Sequence, residues 1–326
     1  MIGFTIRRLL IASVLLLAAS FLTFMMIQLA PGDYLAQLRM NPQIGDDVVD
    51  QMSARYGLDD PILVQYGRWL ANLARGDMGF SFVHERPVAG LVWEHLRNTI
   101  FLMTMVILFT WLMALPMGIY CAIKQNQLAD RVLSTLAFVG LSIPNFFLCL
   151  VVMWIAAEIG GIPVGGMTSA HHEYLSWWGR IVDIALHMAI PVFVIATGAM
   201  AGLQRVTRGN MLEVLRHQYV TTARARGLPE HRVIYVHALR NAINPLITIF
   251  GYQFALLVSG AALVEIIYSW PGMGQLILEA VLSQDLYLVV GVVLGSGFML
   301  ILGNLVADIL LGMNDPRIKF GERGAG

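Results

Sequence analysis

The residues that could do chemistry are few, and none of them forms a recognised catalytic motif. Hydrolysis of a nucleoside triphosphate needs a glycine-rich turn that ends in Gly-Lys-Ser or Gly-Lys-Thr. The only two lysines, Lys124 and Lys319, stand outside any such turn. The zinc-binding sequence His-Glu-x-x-His and the nucleophile turn Gly-x-Ser-x-Gly are absent as well. We therefore predict no catalytic residue in this chain, with a membrane-embedded enzyme as a distant alternative.

A short polar run, His171-His172-Glu173, has the ligand types of a transition-metal site, because imidazole and carboxylate groups both bind such ions. The three residues are adjacent, and neighbours on a loop rarely turn toward one ion. A solvated loop is the alternative that we favour. We predict no metal site.

Glu265 is a lone charge near the outer end of an apolar stretch, shortly before Pro271 and Gly272. Ionisable groups within membrane spans are costly and usually face a cavity or a partner. Glu265 could line an outer gate, with Pro271 and Gly272, or hydrogen-bond the Pro271-Gly272 turn. We favour such a gating or structural role over direct contact with the substrate.

An arginine-rich run, YVTTARARGLPEHRVIYVHALRNAINP, interrupts the apolar chain from Tyr219 to Pro245. The pattern predicts one helix from Val206 to Arg226, with Arg208, Arg216 and Arg224 open to water. Gly227 can take the left-handed conformation that ends a helix, and Pro229 can start the next, which we expect to reach about Asn244.

The corner at Gly227 has the composition of a docking surface. The residues around it are small, which lets another backbone approach closely. Arg224 and Arg226 flank it and can pair with carboxylates on a partner. Two other interpretations are a cytoplasmic loop that is merely basic, and a nucleic-acid-binding loop. We disfavour nucleic acid because basic cytoplasmic loops are already expected in membrane proteins.

The elements that must position this corner are membrane helices. Hydrophobic residues make up 57% of the chain and charged residues 13%, about half the level of a soluble domain. A membrane helix needs about 20 mostly apolar residues. Six stretches qualify, at roughly 9–30, 99–122, 132–157, 184–204, 246–268 and 288–311. Pro116, Pro144, Pro191 and Pro245 are expected to kink four of them.

The distribution of basic residues sets the orientation. With the N-terminus in the cytoplasm, 14 of the 21 lysines and arginines fall in cytoplasmic segments, and the short outer loop 269–287 has none. Both termini are therefore predicted to be cytoplasmic. Cys121 and Cys149 lie in apolar runs, which indicates buried thiols.

The largest segment outside the membrane, residues 31–98, contains one amphipathic helix. Its apolar positions recur at helical spacing from Ile62 to Leu73, after Asp59, Asp60 and Pro61, which can cap it. This helix either lies as a cap on the outer face or simply covers the helix ends. The residues expected on its buried face are Leu63, Tyr66, Trp69, Leu70 and Leu73.

The arginine-rich run resembles the cytoplasmic coupling loop of binding-protein-dependent ABC importer permeases. More narrowly, it is similar to that of the B-type subunit of the dipeptide/oligopeptide/nickel permease family. The matching residues are Tyr219, Val220, Thr222 to Ala225, Gly227, Leu228, His237 to Ala242 and Pro245. Arg226 replaces the family's usual lysine, and Gln218 stands where the family often has aspartate. Similar motifs elsewhere include Ala30-Pro31-Gly32-Asp33, Gly76-Asp77-Met78-Gly79, Pro271-Gly272-Met273-Gly274 and Asp315-Pro316-Arg317.

The resemblance implies an all-α integral membrane protein of the bacterial inner membrane, with six transmembrane helices and the type I ABC importer permease fold. Its implied partners are a homologous second permease, two ATPases that bind ATP and Mg²⁺, an extracytoplasmic substrate-binding protein and membrane lipid. This chain itself would bind no cofactor. The residues implied to couple it to an ATPase are Glu213, Tyr219, Thr222, Ala223, Arg224, Ala225, Arg226, Gly227, Leu228 and Pro229.

We accordingly divide the chain into an N-terminal end with the first span (1–30), an outer loop (31–98), a five-helix core (99–311) that contains the coupling loop 205–244, and a cytoplasmic tail (312–326). The resemblance predicts half of a translocation pore, with di- and oligopeptides as substrates. Nickel chelates, oligosaccharides and glutathione-like compounds are the alternatives. A stand-alone secondary transporter is the other class, but it would not need the coupling corner.

Overall fold

A computed structural model describes residues 2–29, 39, 45–57, 59–243, 245–246, 249–250 and 261–314 of the protein. Most of these residues are helical. Two short strands, β1 (Phe80–Ser81) and β2 (Arg86–Pro87), form an antiparallel hairpin. The helices up to the coupling loop are α1 (Ile2–Leu29), α2 (Asp46–Tyr56), α3 (Ile62–Leu73), α4 (Val88–Ile123), α5 (Leu128–Ser142), α6 (Asn145–Ile159) and α7 (Trp177–Leu215). Those that follow are α8 (Gln218–Ala225), α9 (Glu230–Arg232), a π-helix (Val233–Ala238), α10 (Leu239–Ala242), α11 (Ala261–Tyr268), α12 (Met273–Leu282) and α13 (Leu286–Asn314).

Four of the described helices, α1, α4, α7 and α13, are long and apolar enough to cross a membrane. The pairs α5–α6 and α11–α12 meet the same criterion together, although each is interrupted by a short break, with a bend of 106° between α5 and α6. The total reaches six when each bent pair is counted as one span, which equals the predicted number. The pair α11–α12 overlaps the predicted stretch 246–268 only from Ala261 to Tyr268, and α12 lies in the predicted outer loop 269–287. Residues 247–248 and 251–260 of the predicted fifth span lie outside the described residues.

Proline explains the break in the third span. Pro144 has no backbone N–H, and its ring disfavours helical backbone at the preceding residue. Ile143 accordingly has extended backbone (φ −90°, ψ 124°), and α6 starts after Pro144. The predicted kink is therefore a complete break, whereas Pro116 and Pro191 lie inside helices that continue past them.

The described chain divides into two compact units, the first consisting of Met1–Thr99 and Pro271–Ile301. In this unit α3 spans the residues that the sequence predicts. Trp69 is buried against Phe24 and Leu286, and its indole N–H donates to the Met78 carbonyl (3.0 Å). Leu63 is 68% exposed, so its predicted place on the buried face is wrong.

The start of α3 also differs from the expectation. Pro61 is the residue that precedes the first turn, and no side chain caps it. Asp60 instead pairs with Arg68 (2.6 Å), and the Asp60 carbonyl accepts from the Gln65 amide (2.7 Å). The helix is thus held by packing and by the contacts of Arg68 and Gln65 with Asp60, which precedes it.

The second unit consists of Ile100–Trp270 and Leu302–Gly326. Its main core contains the fully buried Tyr268 and Trp270, and the Tyr268 hydroxyl donates to the Pro163 carbonyl (2.8 Å). Cys121 and Cys149 are free and buried, as predicted. The boundaries predicted from topology do not coincide with these units and stay a prediction.

Candidate functional site

The arginine-rich segment folds as a compact group of short helices after α7. The predicted continuous helix from Val206 to Arg226 is wrong, because α7 ends at Leu215 and His217 has extended backbone (φ −68°, ψ 146°). The His217 carbonyl accepts from the N–H groups of Val220 and Thr221 (3.0 and 3.3 Å), which starts α8. The break redirects the chain so that α8 buries one side.

Helix α8 has an inner and an outer face. Val220 and Ala223 are buried against Met211 and Val214 of α7 and against Val233 of the π-helix. Burial of apolar side chains on one face is what fixes a short helix that would be marginal alone. The exposed predicted coupling residues are Glu213, Tyr219, Thr222, Arg224, Ala225, Arg226, Gly227 and Pro229. Ala223 therefore lies on the supporting side.

The corner after α8 is a complete helix-ending motif. Gly227 has left-handed backbone (φ 75°), as the sequence predicts, and its N–H donates to the Arg224 carbonyl (2.9 Å). The Leu228 N–H donates to the Ala223 carbonyl (3.4 Å), and both side chains join the same apolar cluster. These two bonds and the apolar contact define a Schellman motif. The next helix starts at Glu230, directly after Pro229.

Arg224 already has a partner within the chain. Its guanidinium contacts both carboxylate oxygens of Glu230, with Nη2–Oε1 at 2.6 Å and Nε–Oε2 at 3.1 Å. This pair raises the pKa of Arg224, and the same hydrogen bonds lower the pKa of Glu230. The expected pairing of Arg224 with a partner carboxylate would have to displace Glu230. Arg226 is exposed and has no ion-pair partner within the described part of the chain.

A side-chain hydrogen bond that the sequence pattern does not predict connects the two ends of this group of helices. The Asn241 side-chain N–H donates to the Tyr219 hydroxyl (2.8 Å), and the Tyr219 ring stacks on His217 with centroids 5.8 Å apart. Asn241 reaches Tyr219 across the π-helix, a rare form that is frequently found at functional sites. Nothing in the local pattern signals this contact.

A second missed feature is a buried ion pair near the end of α7. Arg208 contacts the Asp130 carboxylate of α5 through Nε (2.7 Å) and Nη2 (2.8 Å). Asp130 also accepts from the Asn126 N–H (2.9 Å), and its side chain is 4% exposed. The prediction that Arg208 stays open to water is thus wrong, while Arg216 is exposed as expected. The pair fastens α5 to the helix that leads into the corner.

The candidate gate residues occupy two turns. Glu265 is buried, and its carbonyl accepts from the Trp270 N–H (2.8 Å) across a turn in which Ser269 has left-handed backbone (φ 56°). The Pro271 carbonyl accepts from the Asn98 side chain (2.9 Å), and Gly272 precedes the first turn of α12. Glu265 belongs to the second unit and the other two to the first, so their common role as a gate stays a prediction.

The histidine-rich loop is partly structured. His172 is hydrogen-bonded through Nδ1 to Asp183 (2.7 Å), which also accepts from the Ser169 N–H (3.0 Å). His171 and Glu173 are exposed. Among the described residues, no group of three His, Cys, Asp or Glu side chains is arranged to hold a metal ion.

Comparison with known proteins gives consistent matches over nearly the whole chain. Residues 114–320 match the family described as binding-protein-dependent transport system inner membrane component. Residues 1–104 match the N-terminal part of the same class of membrane component. The chain is similar to the oligopeptide transport system permease protein AppB of Bacillus subtilis, with 38% identity over 98% of this chain and 100% of that protein. It is also similar to the dipeptide transport system permease protein DppB of Alkalihalophilus pseudofirmus, with 35% identity over 98% and 100%.

One solved structure, of the MetNI methionine ABC transporter in inward-facing conformations, gives a TM-score of 0.49 at 16% identity. The match covers 68% of this chain and 96% of the solved chain.

Proposed function

Since the chain belongs to the binding-protein-dependent transport system inner membrane components, we propose that it forms half of the pore of an ATP-driven peptide importer. The chain is a permease subunit of the bacterial inner membrane, and it is not the catalytic subunit of its transport system. The peptide substrate is supported by the names of the relatives, which include an oligopeptide and a dipeptide permease that this chain matches over their full length. No feature of the described residues favours nickel chelates, oligosaccharides or glutathione-like compounds.

The working complex in this proposal contains a second, homologous permease, two cytoplasmic ATPases and an extracytoplasmic binding protein. ATP and Mg²⁺ bind to the ATPases. The binding protein delivers the peptide to the outer face, and this permease contributes the path across the membrane.

The coupling proposal rests on the outer, exposed face of α8. Because Val220 and Ala223 anchor its inner side, the outer side presents Tyr219, Thr222 and Arg226 together at the cytoplasmic surface. The outer side also includes Gly227, which has no side chain. A Cβ atom placed at this position would have no neighbouring atom within 4 Å. The missing side chain lets the backbone of a partner approach this corner closely.

Movement of α8 would reach the membrane helices through its packing. Its inner face contacts α7 in an apolar cluster, and closely packed interiors shift as units because they transmit strain. Arg208, about two turns before the end of α7, connects that helix to α5 through Asp130. Closure of the ATPases would thus move α8, α7 and α5 together and change access to the pore.

A bulky substitution on the outer face of α8 tests the coupling proposal. In Thr222→Trp the indole would project from the exposed face, so we expect normal membrane insertion but loss of the ATPases during purification. Gln127→Trp is the matched control, since Gln127 is an exposed cytoplasmic residue outside the coupling loop. Wild-type recovery of ATPases and wild-type peptide-stimulated hydrolysis with Thr222→Trp would contradict the proposal.

The substrate proposal needs a separate measurement. Reconstituted complex with its binding protein should take up labelled di- and oligopeptides in the presence of ATP. Uptake of a nickel chelate, an oligosaccharide or glutathione, with no uptake of peptides, would replace the substrate class while leaving the permease assignment intact.

A further inference from the structure

A cavity of about 590 Å³ lies between α5 and α7, beside the Asp130–Arg208 pair. Its walls include side chains of both helices and of the short loop before α5. The residues that matter for its chemistry are Asp130, Arg131, Ser134, Phe138, Arg205 and Arg208. The coupling face of α8 does not contribute to it.

The polarity of the cavity changes in one direction along both helices. On α5 the lining runs from Arg131 through Ser134 to Phe138 and Leu141. On α7, which runs the opposite way, the lining runs from Arg205 back to Ala201. From Arg131 to Leu141 the helix rises about 15 Å, so the polar and apolar ends are well separated. This separation of polar and apolar lining suits an amphiphile.

The polar end carries surplus positive charge. Asp130 neutralises Arg208 through two short hydrogen bonds. Arg131 and Arg205 are exposed, and neither has an ion-pair partner within the residues that the structure describes. Two positive charges therefore face the cavity mouth without a compensating carboxylate, which favours an anionic group there.

The apolar end reaches membrane depth. Phe138 and Leu141 are 55% and 51% exposed, as lipid-facing side chains would be. The two helices approach each other closely at Gly140, where an added Cβ would lie 2.8 Å from the Thr197 methyl group. The basic end is on the cytoplasmic side by the distribution of arginines and lysines, and basic pockets between membrane helices on that side bind anionic lipid headgroups.

We propose that this cavity binds an anionic membrane phospholipid, with its phosphate between Arg131 and Arg205 and an acyl chain along Phe138 and Leu141. A free phosphate would use the arginines but would leave the apolar wall unfilled. The bound lipid would lie between α5 and α7 and would stabilise the contact between these helices that includes the Asp130–Arg208 pair. This inference does not depend on which substrate the importer carries.

Lipid binding can be measured on the complete transport complex, purified and depleted of lipid. Native mass spectrometry with added phosphatidylglycerol or phosphatidylcholine should show preferential retention of phosphatidylglycerol. We expect the relative affinity for phosphatidylglycerol to fall roughly tenfold or more in Arg131→Gln/Arg205→Gln, because two basic residues next to the headgroup are removed. Arg131→Lys/Arg205→Lys should keep most of the preference.

The matched control is Arg216→Gln/Arg232→Gln, which removes the same charge from exposed positions on the same side of the membrane. If the control variant lost as much affinity for phosphatidylglycerol as the cavity variant, the proposal would be overturned. A wild-type complex that retains both lipids equally would overturn it as well.

Inorganic phosphate, added as a competitor, should leave phosphatidylglycerol bound. Displacement by phosphate would instead assign the site to a free anion. A change in peptide KM without a change in lipid retention would assign the cavity to the transport path.

Discussion

At the scale of single residues, Gly227 limits what the coupling corner can accept. Its left-handed backbone is costly for side chains with a Cβ, most of all for β-branched ones, at about 1–2 kcal/mol. Within this chain the space around an ideal Cβ is empty, so the cost of a substitution inside the chain comes from the backbone. Gly227→Val should therefore insert normally but lose most of its ATP-coupled transport, measured in reconstituted vesicles.

Gly227→Asn is the control for this prediction. Asparagine is larger than glycine but tolerates left-handed backbone. It should keep substantially more transport than valine, which is similar in size. Equal and full activity of both variants would show that the corner does not need its observed conformation.

The Arg224–Glu230 pair allows a charge-swap test. If Arg224 serves mainly to hold the corner, Arg224→Glu and Glu230→Arg should each reduce coupling, and the double variant should restore it. If Arg224 instead contacts an ATPase carboxylate, the double variant should stay impaired. ATP hydrolysis coupled to transport is the measurement. Both side chains are largely exposed, so the pair itself contributes roughly 0.2–1 kcal/mol.

The same pair predicts a pH dependence with a definite sign. Because pairing with Arg224 lowers the pKa of Glu230 in the folded protein, the stabilisation is present above the ordinary value of 4.5. It is lost as the pH falls from that value through the lowered pKa. Hydrogen exchange of the Leu228 N–H, corrected for intrinsic rates, should show protection decreasing in that range. Glu230→Gln should remove this component of the pH dependence.

At the scale of elements, the contact between α5 and α7 includes one buried ion pair, Asp130–Arg208. Removing one partner of a buried ion pair typically destabilises a protein by about 3–5 kcal/mol, because the other charge is left without compensation. Arg208 keeps 28% of its side-chain exposure, so we expect Asp130→Leu to cost roughly 3 kcal/mol. The Tm of the purified complex should fall accordingly.

Two variants separate this effect from a general effect of charge loss. Asp60→Leu breaks the exposed pair with Arg68 and should lower the Tm much less. Asp130→Leu/Arg208→Met replaces both charges by apolar groups and should recover most of the lost stability. If Asp130→Leu and Asp60→Leu lowered the Tm equally, the buried pair would have no special role.

At the scale of the whole molecule, the orientation in the membrane can be tested with introduced cysteines. Cys121 and Cys149 are buried and should react little in the folded protein. Arg75→Cys, on the predicted outer segment, should react with a membrane-impermeant maleimide in intact cells. Arg232→Cys, in the coupling loop, should react only in inverted vesicles. Labelling from the opposite sides would refute the cytoplasmic assignment of the coupling loop and both termini.

Much of this protein follows from sequence because its determinants are local. Apolar stretches of membrane length give the spans, and the arginine distribution gives their orientation. The bounds of α3 follow from helical periodicity, and the left-handed backbone of Gly227 follows from a glycine placed at the end of a helical pattern. Each of these signals resides within a few residues or a single segment of the chain.

The tertiary structure alone decided which charges are paired and where the coupling segment bends. The sequence pattern predicts that Arg208 of α7 faces solvent. Its partner Asp130, however, lies on another helix, 78 residues earlier in the chain. The chain breaks at His217 because the bend lets Val220 and Ala223 pack inward, and Asn241 reaches Tyr219 only after the π-helix has brought the chain back. Periodicity and propensity describe a segment against water or lipid, whereas ion pairs and buried faces depend on neighbours that only packing brings within reach.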